Sequence, residues 1–236
     1  MNCVMKYVKI VLIVVAALSL LPVVPVLSLR WYDPPTSAFM LQDRLAAWWH
    51  KQRAYRPDYR WVNWYRISPH APLAVVTAED QKFPHHWGFD REALAEAWEE
   101  HRDGIRTRGA STITQQVAKN LFLWPGKNLF RKGLEAYLTV LIELCWSKKR
   151  ILEVYLNIAE FGSGVYGIGA ASARYFNKLP RYLNRWESAL LATVLPNPKR
   201  MRVDRPSTYM QARAVWILSE MERLDRINRT PYLHDL

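Results

Sequence analysis

The sequence predicts a mostly α-helical domain behind a single apolar helix. Three observations predict it. From Leu73 to Leu195, apolar residues recur at helical spacing, with capping residues ahead of most runs. No stretch alternates apolar and polar residues as a half-buried strand does. Near the N-terminus, the twenty residues from Ile10 to Leu29 carry no charge, a length that crosses a bilayer core as a helix.

Taken in order, Lys6 and Lys9 precede the apolar run, which places residues 1–9 in the cytoplasm and makes 10–29 a single transmembrane helix. Pro22 and Pro25 are expected to kink its outer half. A cleaved signal peptide needs a shorter apolar region and a small-x-small cleavage site. "VPVLSLRW" offers none, so a retained anchor is expected. Residues 30–72 read as a linker and the start of the folded domain, and 73–236 as its core. "DPPTSAFM" (Asp33–Met40) is the linker, with Thr36 or Ser37 as a cap. Phe39 to Tyr55 has a helical pattern and carries Trp48 and Trp49, whereas "RPDYRWVNWYRISPHAP" is irregular and aromatic-rich. "DREALAEAWEEH" is a helix capped by Asp90. "STITQQVAKNLFL" opens on a capping box, Thr112 with Gln115. Asn128 caps Leu129 to Trp146, whose second half, "AYLTVLIELCW", is apolar almost all round and reads as a buried central helix. "KKRILEVYLNIAEF", "GIGAASARYF" and "RWESALLATVL" complete the helices, the last halted by Pro196 and Pro198.

The 236 residues suit one sizeable domain plus an appendage, and 50% hydrophobic content allows a real core. Eleven tryptophans suggest that some aromatic surface faces a ligand or lipid headgroups. A net charge of +12 beside a membrane favours anionic lipid or an anionic substrate. Nucleic acid is the other usual partner of such charge, and the anchor argues against it. Cys3 falls on the cytoplasmic side and Cys145 in an apolar run, so no disulfide is expected.

Several motifs have two readings. Gly162-x-Gly164-x-x-Gly167 is formally a dinucleotide fingerprint, but a helical pattern precedes it and no βαβ unit follows, so tight backbone geometry explains it better. His85, His86 and Asp90 suggest a metal site only weakly, because adjacent histidines diverge and no further ligand spacing supports them. Lys119, Lys127, Arg131, Lys132 and Glu135 cluster within "KNLFLWPGKNLFRKGLE". They are either a solvated charged face or a cradle for a multiply charged anion. Glu79, at the end of an apolar run in "VVTAEDQKFPHHWGFD", is by itself either a surface acid or a carboxylate set for acid–base chemistry.

The combination decides between these readings. "EDQKFPHHWGFD" resembles the E-D-x-x-F-x-x-H-x-G signature of the peptidoglycan glycosyltransferases (glycosyltransferase family 51), the lipid II polymerases. "GASTITQQVAKN" resembles the family's G-[GA]-S-T-I-T-Q-Q motif, "RKGLE" its R-K-x-x-E, "KKRILEVYLNIAEFG" its I-L-E-x-Y-L-N element, and "ALLATVLPNP" its final motif. These matches run in order from Glu79 to Pro198, about half the chain. No S-x-x-K, S-x-N and K-T-G set follows, so the resemblance is to the monofunctional biosynthetic members, without transpeptidase activity.

The resemblance implies a lysozyme-like α-helical head with a smaller, membrane-proximal jaw lobe. It implies glycosyl transfer from the growing chain to the 4-hydroxyl of lipid II, with inversion and release of polyprenyl diphosphate. Glu79 matches the catalytic base and Glu135 the second important carboxylate. Substrate contact is implied for Asp80, Phe83 and His86 of the first motif and for Ser111, Thr112, Gln115, Gln116 and Lys119 of the second. It is implied too for Lys127, which stands where arginine is common, for Arg131 and Lys132, and for Asn157 of the fourth motif. No cofactor is required, although a divalent cation, magnesium or manganese, has a place at the diphosphate. The implied partners are lipid II, the growing glycan, the membrane and other cell wall synthesis or division proteins. The implied location is the inner membrane, with the catalytic domain outside the cytoplasm. Two other readings stay open on sequence: a lysozyme-like hydrolase of finished glycan, and a membrane-anchored scaffold for anionic cell-wall polymer.

Overall fold

The computed structural model describes residues 5–7, 9–10, 20–52, 54–102, 111–126, 128–227 and 233. Much of the expected 10–29 span falls outside them, and among the described residues no helix is long and apolar enough to cross a membrane. The outer end of that segment is helix α1 (Val23–Ser28), which starts at Pro22. It lies on the domain: Val26 is fully buried, and Trp146 Nε1 donates to the Val26 carbonyl at 2.7 Å. Arg150 holds the next stretch by donating to the carbonyls of Leu29 and Tyr32 and pairing with Asp33.

Helix α2 (Ala38–Trp49) is capped by Ser37, whose side chain accepts from Met40 N. It stops short of the expected Tyr55 because Lys51 takes a left-handed φ of 62°. Strand β1 (Asp58–Tyr59) follows, and then α3 (His70–Glu79). Every residue of α3 from Ala71 to Thr77 is buried. α3 is thus an apolar rod that ends at a carboxylate. Asp90 caps α4 (Arg91–Arg102), accepting from the backbone of Glu92 and Ala93. The Thr112–Gln115 capping box opens α5 (Ile113–Phe122) as the sequence predicts. Asn128 likewise caps α6 (Leu129–Cys145).

The buried central helix is not α6 but α7 (Lys148–Ile158). From Ile151 to Ile158 only Glu153 is not fully buried. On α6, Leu138 and Ile142 enter the core while Leu129, Phe130, Val140 and Leu144 are exposed. Its all-round apolar pattern therefore serves two faces, one packed and one open.

Two elements escaped the sequence reading. One is a small sheet of order β1-β3-β2, built from β2 (Glu160–Gly162) and β3 (Val165–Tyr166), antiparallel to each other, with β1 parallel to β3. Strands this short show no alternation. The glycines of the false dinucleotide motif sit here. Gly164 has φ +72° and Gly167 φ +81°, and a Cβ at Gly167 would stand 2.4 Å from the Asn157 carbonyl. After α8 (Gly167–Phe176) and α9 (Arg185–Val194) comes the second unanticipated element, α10 (Thr208–Ile227). Its Met210, Ala214, Ile217, Met221 and Leu224 are buried at three- and four-residue spacing. α9 and α10 both pack on α3, and α5 packs between α6 and α7. The tip of α3 thus meets α5 and α10.

Candidate active site

Glu79 is the last residue of α3, half-buried at a cleft of about 190 Å³ whose lining includes Asp90, Ser111 and Trp216. Gln116 Nε2 donates to Glu79 Oε2 at 2.8 Å, and the Tyr155 hydroxyl donates to Gln116 Oε1 at 3.0 Å. Burial pushes the Glu79 carboxyl above its ordinary value. The Gln116 hydrogen bond and the charges of Arg213 and Lys119 oppose that rise, and Asp80 adds to it.

Asp80 turns the other way. Its Oδ1 meets His86 Nε2 at 2.9 Å and its Oδ2 accepts from Ile113 N at 2.9 Å. It ties the loop after α3 to the first turn of α5. Phe83, fully buried, meets His86 edge-on, with Lys148 Nζ 4.6 Å from its ring centroid. Lys148 also donates to the His86 carbonyl and pairs with Glu143. Of the three residues expected to touch substrate, Asp80 lines the cleft, Phe83 is fully buried beneath it, and His86 is held against Asp80. The metal reading of His85, His86 and Asp90 also fails to assemble, because His86 goes to Asp80 and Asp90 to its helix cap. Among the described residues no group of three or more His, Cys, Asp or Glu is placed to hold a metal ion.

Within the second motif, Thr112 and Gln115 are buried and bound to each other in the capping box, and Thr112 Oγ1 also donates to the Gly88 carbonyl at 2.6 Å. Gln116 faces Glu79, and Ser111 lines the cleft. Lys119, one turn beyond Gln116, has its amine pushed below the ordinary value by burial. It feels the negative charges of Glu135 and Glu79 as well as the positive charges of Arg131 and Lys132. Lys119 thus feels the charge of both the carboxylate at the cleft and the cation cluster.

In that cluster, Glu135 is 2% exposed and both its oxygens are engaged. Arg131 Nη1 donates to Oε2 at 2.7 Å and Lys132 Nζ to Oε1 at 2.5 Å. Glu135, expected as the second important carboxylate, holds these two cations in place. Lys127 lies outside the described residues. Asn157 is fully buried and bonds to both backbone groups of Val62 and to the Glu153 carbonyl, which leaves it no surface toward a substrate.

Arg213 and Trp216 entered no motif. α10 brings both to the base: Arg213 Nη2 donates to the Ala78 carbonyl at 3.4 Å, and Trp216 lines the cleft. A helical stripe after Thr208 was the available signal, although nothing in it pointed to α3.

Comparison with known proteins agrees with this arrangement. The transglycosylase family model matches residues 47–222. Biosynthetic peptidoglycan transglycosylases of Escherichia coli O1:K1 / APEC and of Escherichia coli strain SMS-3-5 / SECEC are each 55% identical over 191 residues, covering 80% of this chain and 79% of the relative. A half-buried carboxylate beside a cation cluster, together with similarity over most of the chain, shows that the chain belongs to the transglycosylase family.

Proposed function

We propose that the protein is a peptidoglycan glycosyltransferase that polymerises lipid II into linear glycan strands. The carrying observation is that Gln116 on α5 holds Glu79 at the cleft while Glu135 holds Arg131 and Lys132 on α6, the helix packed against α5. A hydrolase of finished glycan needs a carboxylic acid but no cation cluster. A polymerase with a lipid diphosphate leaving group needs both a base and a counter-charge.

Glu79 takes the proton of the 4-hydroxyl of the incoming lipid II. That oxygen forms a bond to the anomeric carbon of the growing chain. The carbon–oxygen bond to the diphosphate breaks, and its electron pair leaves with the polyprenyl diphosphate. Attack opposite the leaving group turns an α-linked donor into a β-linked product without a covalent intermediate. Lys119, Arg131 and Lys132, with Lys127 added by family resemblance, stabilise the charge growing on the diphosphate. Glu135 keeps Arg131 and Lys132 aimed. Ser111 contacts substrate at the cleft.

The substrate's lipid tail requires the enzyme to work at a membrane. Exposed Leu41, Leu45, Trp48 and Trp49 on α2 and exposed Leu129 and Phe130 on α6 suit an apolar surface. With the uncharged 10–29 segment, they support a single-pass protein of the bacterial inner membrane whose catalytic domain lies outside the cytoplasm. The test is purified protein on pure lipid II in vesicles and, in parallel, on finished glycan. New polymer is expected. Cut glycan without polymer indicates a hydrolase, and neither activity indicates a scaffold.

A further inference from the structure

We propose that Tyr155 is a positioning residue for the base. Its hydroxyl fixes the side-chain amide of Gln116 so that the NH2 group, and not the carbonyl, faces Glu79. The proposal rests on the reading of Glu79 as the base.

A primary amide has an acceptor at one end and two donors at the other, and the two orientations have nearly the same shape. With Nε2 toward Glu79, Gln116 stabilises the carboxylate. Turned over, it sets a carbonyl oxygen against the carboxylate, an arrangement acceptable only when Glu79 carries a proton. Something must choose between them. The Tyr155 hydroxyl does so, because it donates to Oε1 at 3.0 Å and thereby leaves Nε2 to reach Glu79 Oε2 at 2.8 Å.

Tyr155 is suited to this. It lies on α7, is 1% exposed, and is among the largest fully buried side chains. Burial, and then the negative charges of Glu79 and Asp80, push its phenol well above the ordinary value, so it keeps its proton throughout the working range. The other groups acting on Glu79 are Lys119 from α5, Arg213 from α10 and the adjacent Asp80. Lys119 and Arg213 favour the carboxylate through charge alone. Gln116 favours it only in one orientation, and that dependence gives Tyr155 its leverage. In sequence, Tyr155 is the tyrosine of the I-L-E-x-Y-L-N element, and nothing local names Gln116 as its partner.

The experiment measures the pH dependence of lipid II polymerisation by the full-length protein as wild type, Tyr155→Phe, Gln116→Met and the double variant, with Glu79→Gln as reference. Tyr155→Phe removes one oxygen and keeps the ring. We expect its acid limb to move to higher pH by at least roughly half a unit, about a threefold loss on the limb that shrinks as pH rises. Gln116→Met should move the limb at least as far, and the double variant no farther, because the two residues act through one link. An unmoved limb in Tyr155→Phe, with uniform loss at every pH or only a lower melting temperature, makes Tyr155 a packing residue and overturns the proposal. If Tyr155→Phe does not fold, Gln116→Met tests the same link from its other end, and an unmoved limb there overturns it equally. Normal polymerisation by Glu79→Gln removes the base and this proposal together. An inactive Glu79→Gln beside an unmoved limb removes this proposal alone.

Discussion

The carboxylates of Glu79 and Asp80, neighbours in the chain, diverge at the end of α3. Glu79 meets Gln116 at the cleft, while Asp80 closes on His86 and the backbone of Ile113. The divergence arises because Asp80 leaves the helix, with φ −164° and ψ 75°. The pair should therefore separate chemistry from architecture.

Glu79→Gln keeps shape and removes the proton acceptor. General bases contribute about 10²–10⁴-fold, so polymerisation should fall by at least two orders of magnitude at that scale while lipid II binding survives. Steady-state rates with a separate binding measurement check this. A normal rate in the folded variant refutes the mechanism.

Asp80→Asn should act on stability first. It weakens the tie to His86, and a buried polar partner left poorly paired costs about 1–3 kcal/mol. Urea unfolding should show a loss for Asp80→Asn and none for Glu79→Gln.

Glu79→Gln should in fact be more stable than wild type at neutral pH. Burial raises the Glu79 carboxyl above its ordinary 4.5 in the folded protein. Between that value and the raised one, the folded state holds a proton that the unfolded state has released. Stability therefore falls as pH rises through this window, and above it the charged form is a standing penalty. Glutamine relieves the penalty. Its melting advantage should be clear at pH 7 and vanish below pH 4, and an advantage independent of pH would contradict the account. The same raised value sets the acid limb of polymerisation above the usual carboxylate range.

The cation cluster should split in the same manner. Glu135→Gln strands Arg131, which is 6% exposed, and breaking a buried pair costs about 3–5 kcal/mol. Lys119→Ala removes a charge that burial already disfavours, so it should fold normally. It should lose on the order of 10²-fold in turnover, the scale of one preorganised donor, and bind a diphospholipid analogue more weakly. Turnover near wild type in a folded Lys119→Ala would return the cluster to a solvated face.

Removing residues 1–30 should lower the melting temperature relative to removing 1–19. The longer deletion takes away Val26 and the partner of Trp146 Nε1. Burying a valine is worth about 1.5–3 kcal/mol, which for a chain of this size is roughly several degrees. Thermal scans in detergent distinguish the two. Mass analysis of the membrane-extracted protein should find residues 1–30 present.

The helices around the site were legible because caps and apolar stripes are local signals. Ser37, Asp90, Asn128 and the Thr112–Gln115 box each sit where their helix begins. Legibility ended where a side chain's duty depends on what lies opposite. Asn157 and Phe83 belong to motifs but are wholly enclosed, and a motif does not say which way a residue points. Arg213 reaches the end of α3, and Trp216 the cleft, only because α10 packs on α3, a pairing no local pattern encodes. The two faces of α6 were misjudged for a related reason: its exposed and core-facing surfaces use the same apolar residue types.

The seat of Val26 and the grip of Arg150 on Leu29 and Tyr32 make residues 23–33 a fixed bracket against the rest of the domain. In the proposed membrane setting, a bracket acts as a ruler. The height of Glu79 above the lipid headgroups is then set by the fold and not by a flexible tether.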